Sequence, residues 1–156
     1  METLTSTPTR RATFRVATTR PTQFIDLTSR LESLVATTGI RTGLLNVQSM
    51  HTTVAVVVNE HEPLLIDDFL RMIQAAAPIN GFYRHNDLSV RTVNVTAAER
   101  QNGHAHCRAL MLPTSACLNI GDGRLMLGRW QRVFLVELDG PQERDVAVMA
   151  LGSAER

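Results

Sequence analysis

Two spacings alternate along this chain. Apolar positions two apart in Thr13-Phe14-Arg15-Val16 mark a first strand. Phe24, Leu27, Leu31, Leu34 and Val35 then recur at helical spacing, with Gly39 placed to stop that helix as a left-handed residue. Residues 43–48 and 51–58 return to strand character, as two strands or one long bent strand. The second is apolar on both faces, which predicts a central strand covered on both sides. Pro63 opens a helix through Leu65, Phe69, Met72, Ile73 and Ala76, and Pro78 ends it. Asp67 and Asp68 fall in its early half, where acids favour the helix dipole.

From Ile79 to Asn102 no period is sustained, and one short helix is expected near Ala97–Arg100. Alternation resumes over His104–Leu112, read as a strand with His104, His106, Arg108, Leu110 and Leu112 on one face. Leu118–Ile120 and Arg124–Leu127 flank Gly121-Asp122-Gly123, a hairpin turn. Val133–Asp139 and Val146–Leu151 complete the strands. Period two puts Glu137 on the face of Val133 and Leu135. A carboxylate there must be protonated, at the sheet's edge, or paired with Arg108, Arg132 or Arg144. Strands outnumber helices, and several are joined too briefly for parallel crossovers. The expected fold class is therefore α+β, with largely antiparallel or mixed sheets packed against two main helices. Residues 12–156 form the single expected domain, behind a frayed tail at residues 1–11.

Composition narrows the function classes. The 156 residues are 44% apolar and 20% charged with a net charge of +1, a balance with no field to attract nucleic acid or an anionic membrane. No apolar run reaches membrane-spanning length. No apolar segment follows Arg10-Arg11, so neither a secretory nor a twin-arginine signal is read and a cytoplasmic setting is expected. Cys107 and Cys117 form no CxxC pair and read as reduced, packed thiols.

All five histidines fall between positions 51 and 106. Imidazole is both a common metal ligand and the side chain that titrates near neutral pH, so the clustering marks a candidate site. His51 heads the valine-rich strand and Asn59-Glu60 closes it. Glu60 reads as a general base or ligand, or as an acid preceding the Pro63 helix. His61 and Glu62 read as solvated loop residues. Glu137 reads as a carboxylate beside a site. Thr114-Ser115 can donate hydrogen bonds to an anion, whereas Gly121, Gly123 and Gly128 lack the strand–loop–helix context of a phosphate loop. No nucleophile-elbow motif is present.

These residues, taken in order, resemble the YjbQ family, often labelled secondary thiamine-phosphate synthase. The matching segments are Gly43-Leu-Leu-Asn46, His51 through Glu60, Asp68, Tyr83-Arg-His85, Asn102 and Ala105-His106. Thr114-Ser115, Gly128-Arg-Trp130-Gln131, Glu137-Leu-Asp-Gly-Pro141 and Arg144 continue the match, which spans residues 13–152. The resemblance implies a cytoplasmic homotrimer acting on a small phosphorylated or heterocyclic substrate, with no nucleic-acid or membrane partner. It implies His51, His85 and His106 as the recurrent histidines, expected to hold a divalent metal (Zn²⁺, or Mg²⁺ as the alternative) or an anionic group. Glu60 and Glu137 are then the expected catalytic acid, base or supporting carboxylates. Asn102, Arg108, Thr114 and Ser115 are the expected substrate-binding residues. The family label implies coupling of a pyrimidine diphosphate to a thiazole phosphate with loss of pyrophosphate, although no DDxxD-type Mg²⁺–diphosphate motif is present. The alternative is a non-catalytic trimer that binds a metabolite or metal. Asn86 stands where the family often has Asp, Arg108 where Lys is common, Pro113 for Gly and Gln142 for Arg. These departures bear on substrate identity.

Overall fold

The computed structural model describes residues 8–154. Strands β1 (Thr9–Ala17), β3 (Thr42–Ser49), β5 (Ser115–Gly121), β6 (Arg124–Leu125) and β8 (Glu143–Ser153) form a five-stranded sheet in the order β1-β8-β3-β5-β6. Strands β2 (Gln23–Asp26), β7 (Gln131–Glu137) and β4 (Val54–Glu60) form a three-stranded sheet with β7 in the middle. Every pairing is antiparallel. Helices α1 (Thr28–Thr38), α2 (Pro63–Ala76) and α3 (Gly103–Leu110) complete an α+β fold.

Side-chain alternation explains the layering. Along β8, Arg144, Val146, Val148 and Ala150 are buried in turn, so the five-stranded sheet has one inward face. β7 is buried on both faces. Its Val133 and Leu135 join Val54 and Val56 in a core shared with Leu31 and Val35 of α1 and the inward residues of β8. Its Phe134 and Val136 join Ala55 in a second core closed by Ile73 of α2 and by Ala105 and Ala109 of α3. The three-stranded sheet is thus a middle layer, with the larger sheet on one side and α2 and α3 on the other. Each large apolar side chain sealed in this way stabilises the fold by about 1.5–3 kcal/mol.

Several local expectations hold for stated physical reasons. Gly39 caps α1 at φ 74°, and Asp122 and Gly123 both adopt positive φ in the hairpin turn. α2 begins at Pro63 and ends at Ala76, ahead of Pro78. Its cap is Glu62, whose carboxylate accepts from the backbone N–H groups of Leu64 and Leu65 at 3.0 and 2.8 Å, so Glu62 is not a free loop residue.

Other expectations are corrected. Residues 103–110 are helical, not a strand. His104, Ala105, Arg108 and Ala109 are buried together, the i, i+1, i+4, i+5 set of one helix face. His104 and His106 therefore do not point the same way. Phe24 belongs to β2, stacked near Phe69 and Phe134 with ring centroids 5.7 and 5.9 Å away. The chain turns into α1 only after Asp26, which accepts from the Thr28 N–H at 2.8 Å. β4 is covered on both faces but lies at the edge of its sheet, because β7 takes the centre. Residues 97–98 form a turn, closed by Glu99 accepting from the Thr96 N–H, and no helix spans 97–100. Residues 9–11 of the expected tail are already paired in β1, opposite Leu151, Ala150 and Met149. An edge strand tolerates their polar side chains. Residues 1–7 of that tail lie outside the described residues. Cys107 and Cys117 are free thiols, exposed and not packed.

Candidate functional site

The two sheets meet at one end of the sandwich, where alternation sets Arg144 of β8 against Glu137 of β7. Arg144 donates from Nε to Glu137 Oε2 and from Nη2 to Oε1, 2.6 Å each. The backbone N–H groups of Leu138 and Asp139 donate to Oε1 at 2.9 and 2.8 Å. Thr18 Oγ1 lies 3.0 Å from Oε2. A carboxylate offers about four lone-pair sites, so these donors saturate it. Glu137 is fully buried. It holds the site's foundation in place and has no free acceptor for a proton in transit.

Beside this pair lies a polar cleft of about 230 Å³ whose walls include His51, Thr53, Arg100, Asn102, Asp139 and Arg144. Asp139 organises it. Arg100 Nε donates to its Oδ1 at 3.0 Å. Asn102 Nδ2 and Gln142 Nε2 donate to its Oδ2 at 2.9 and 3.1 Å. Arg144 also reaches Thr53 Oγ1 at 3.2 Å.

His51 sits in the turn between β3 and β4. Its Nε2 accepts the backbone N–H of Asp145 at 2.8 Å. Only a neutral imidazole can do so, and the hydrogen then resides on Nδ1. Burial first, and then the Arg144 charge, push His51 below the ordinary histidine range, against a weaker pull from Asp145 and Glu137. The result is a neutral hydrogen-bond donor locked in one tautomer. Asn102 supplies the complement. Its Nδ2 is taken by Asp139, and its Oδ1 is buried with no partner among the described residues. The cleft wall thus contains His51, a fixed donor, and Asn102, whose buried Oδ1 has its hydrogen bond unmade.

The expected three-imidazole metal centre does not assemble within the chain. His85, in the 3-10 turn Arg84–Asn86, and His106 on α3 do meet, with ring centroids 4.6 Å apart. Burial and the neighbouring His85 hold His106 below its ordinary range. His51 spends its Nε2 on the backbone N–H of Asp145. Among the described residues no group of three His, Cys, Asp or Glu side chains is placed to hold a metal ion.

The remaining expected site residues divide sharply. Asn102 lines the cleft. Glu60 pairs with Gln131 while Glu137 pairs with Val54, so the two carboxylates occupy opposite ends of the β4–β7 pair, roughly 20 Å apart at about 3.3 Å per residue. Arg108 is buried away from the cleft. It donates to Ala77 O, Thr22 Oγ1 and Gln74 Oε1, tying α3 to the end of α2 and to the β1–β2 connection. Thr114 and Ser115 are exposed at the start of β5. Neither lines the cleft, which leaves the anion-donor reading of that pair without support there. His61 is not a bare loop residue, since Nδ1 lies 3.1 Å from Asp26 Oδ2. Reading the sequence alone passes over Asp139, Arg100 and Thr53. The signal for Asp139 is an acid closing an apolar strand directly before Gly-Pro; Arg100, in an irregular segment, gives none.

Comparison with known proteins agrees with this architecture. The family described as UPF0047 protein YjbQ-like matches residues 12–153. A UPF0047 protein of Methanothermobacter thermautotrophicus is 35% identical over 135 residues, covering 86% of this chain and 87% of that one. A second, from Archaeoglobus fulgidus, is 35% identical over 134 residues, covering 86% and 95%. Among solved structures, a YbjQ-like protein of unknown function from Sulfolobus solfataricus superposes with a TM-score of 0.84 at 32% identity, covering 95% of this chain and all of that one, 100%. A hypothetical protein from Aeropyrum pernix gives a TM-score of 0.81 at 38% identity, covering 92% and 99%.

Proposed function

The chain belongs to the UPF0047 YjbQ-like family, and from that premise we propose that it is a small-molecule enzyme whose cleft beside Arg144 binds a polar heterocycle. The observation that carries this reading is the His51 hydrogen bond to Asp145, which fixes an Nδ1–H donor on a residue of the cleft that Asn102, with its buried, unpartnered Oδ1, also lines. An amidine or amide edge, in which a ring nitrogen or carbonyl lies next to an N–H, would answer both the His51 donor and the Asn102 acceptor. An aminopyrimidine has such an edge.

The charge balance favours recognition of the ring over recognition of a free diphosphate. Arg100 and Arg144 are each tied to a carboxylate, and Arg108 is spent on α2 and Thr22. In the coupling implied by the family label, the bond from the pyrimidine methylene to the diphosphate breaks with its electron pair leaving on pyrophosphate. The thiazole nitrogen then forms the new C–N bond. Of that reaction, the cleft's donor and acceptor suit the pyrimidine half. His51, held neutral, serves there as a hydrogen-bond donor through Nδ1–H, not as an acid or a base.

We further propose that the chain works as a homotrimer. Leu44 and Leu151 are direct cross-strand partners on the outward face of the five-stranded sheet, with Met149 beside them, and all three are exposed. Light scattering tests this arm: a monomer at micromolar concentration overturns it.

The cleft is tested by calorimetric titration with 4-aminopyrimidine, followed by incubation with the pyrimidine diphosphate and thiazole phosphate. Binding that weakens about tenfold in His51→Ala supports the reading. No heat of binding to a folded wild-type protein overturns it. Binding without turnover leaves a metabolite-binding protein in place of the enzyme.

A further inference from the structure

We infer that the open edge of β1 and the hollow beside it form a docking surface for an extended acidic segment of another protein, which adds a strand to the five-stranded sheet. β1 is the last strand of that sheet, paired with β8 alone. Antiparallel partners alternate between bonded and unbonded pairs, so the direction of each backbone group can be followed along the strand. The Thr18 N–H donates to Gln142 O at 2.9 Å, and Pro8 O accepts the Gly152 N–H at 3.2 Å. Asp145, opposite Arg15, turns the other way. Its N–H donates to His51 Nε2 at 2.8 Å and its carbonyl accepts the Met50 N–H at 3.2 Å. Even-numbered residues of β1 therefore bond β8, and odd-numbered ones aim N–H and C=O at the open edge. Arg30 Nη1 of α1 covers the Arg15 carbonyl at 3.3 Å. Among the described residues nothing covers the N–H and C=O groups of Arg11 and Thr13, which stand as a template for a further strand.

The hollow gives this edge a preference. On the inward face of β1, Val16 and Phe14 are buried, but Ala12 and then Arg10 follow them. The small side chain and the departing long one leave a hollow of about 160 Å³ between β1 and the last turns of α1, walled by Arg10, Ala12, Leu34, Leu45, Val148 and Ala150. Leu45, Val148 and Ala150 belong to the core, so the hollow is a core gap reached from the surface. It shares no lining residue with the His51 cleft. A cavity of about 150 Å³ takes a benzene-sized group, which is room for one leucine side chain. Charged edge residues ordinarily guard against pairing, but a guard does not account for the gap. Charge then selects the occupant. Arg30 stacks on the Phe14 ring at 3.9 Å, beside Arg10, Arg11 and Arg15. Of these four only Arg15 has an acidic partner among the described residues, Asp145. A second copy of β1 would set arginines against arginines. A strand with glutamates on its outward face and one aliphatic side chain inward answers both the charge and the hollow. In such strand addition the main chain gives affinity and the pocket gives choice.

The test is fluorescence anisotropy of a labelled peptide, Ser-Glu-Leu-Glu-Thr-Glu-Ser blocked at both ends, titrated with the full chain. Binding is expected to weaken about tenfold when the peptide's leucine becomes alanine, and to vanish when its glutamates become lysines. Ala12→Leu fills the hollow from the protein's side. Thr13→Pro deletes an edge N–H but no bond to β8, a change an edge strand accepts. Each should weaken binding by about tenfold. In wild-type protein the Arg11 and Thr13 amides should gain protection from hydrogen exchange on adding the peptide, a readout independent of any variant's folding. No binding between the folded wild-type chain and the peptide at about 1 mM overturns the proposal. Equal affinity for the alanine peptide overturns it too. So does equal affinity for an oligothymidylate without amide protection, which would make the surface a general polyanion site. Dimerisation through β1 that excludes the peptide overturns it in favour of a second copy.

Discussion

Arg144 grips both carboxylate oxygens of Glu137 at 2.6 Å where the two sheets converge, and neither side chain is appreciably exposed. Removing one partner leaves the other's charge buried and unpaired. Arg144→Met and Glu137→Gln should each lower unfolding stability by about 3–5 kcal/mol. The double variant Glu137→Leu with Arg144→Met should be less destabilised than Arg144→Met, since it strands no charge. Urea titration measures all three. A loss under about 1 kcal/mol in both single variants would contradict the buried-pair reading.

The face carrying Glu137 was readable from period two in β7, as was its need for a partner, because a carboxylate among Val133 and Leu135 admits few environments. The partner itself was not readable, since Arg108, Arg132 and Arg144 are equivalent until topology sets β8 across from β7. Helix α3 shows the opposite failure. His104, His106 and Arg108 alternate by chance, and the stronger signal lay in residues 103–112, which contain no β-branched side chain and follow an asparagine. The His51 tautomer depends on the backbone N–H of Asp145, 94 residues away. No local pattern records a contact of that kind.

Arg108 separates a structural arginine from a binding one. Its guanidinium satisfies Ala77 O, Thr22 Oγ1 and Gln74 Oε1. Arg108→Leu leaves these groups without that donor, at about 1–3 kcal/mol for each that stays buried. The expected outcome is a clear loss of thermal stability, with 4-aminopyrimidine affinity retained in whatever fraction folds. Loss of affinity at full stability would return Arg108 to the site. Glu60→Gln and Ser115→Ala, both outside the cleft, should shift stability by no more than about 0.5 kcal/mol and leave binding as it was.

Gly103 is the first residue of α3, where alanine is ordinarily the better helix former by about 1 kcal/mol. Here the sign reverses. A Cβ at Gly103 would lie 2.5 Å from Tyr83 Cβ and 3.1 Å from Asn86 Oδ1, which accepts the Gly103 N–H. Tyr83 Cβ is fixed to the backbone and cannot swing aside, so the chain from Tyr83 to Asn86 must move. Overpacking of this kind costs about 1–3 kcal/mol, more than the propensity gain. Gly103→Ala should therefore be destabilised and should shift the amide resonances of residues 83–86. A stabilised variant would mean that this segment yields freely.

Acidification should weaken the fold before any carboxylate titrates appreciably. His51, His104 and His106 are all held below the ordinary histidine value of 6.5, by burial first and then by Arg144, Arg108 and His85 respectively. Unfolding frees each to take a proton near that value, while the folded chain takes it only at lower pH. Between those two points the unfolded state binds more protons, so stability rises with pH there. The contribution is complete above the ordinary range and is lost as pH falls through it. For His51 the cost has a visible cause, since a proton on Nε2 would face the Asp145 N–H it now accepts. Urea midpoints from about pH 7.5 to about pH 5 should decline, and His104→Leu, which deletes one of the three titrations, should flatten the slope. A midpoint constant across that window would show that these imidazoles titrate alike in the folded and unfolded chains.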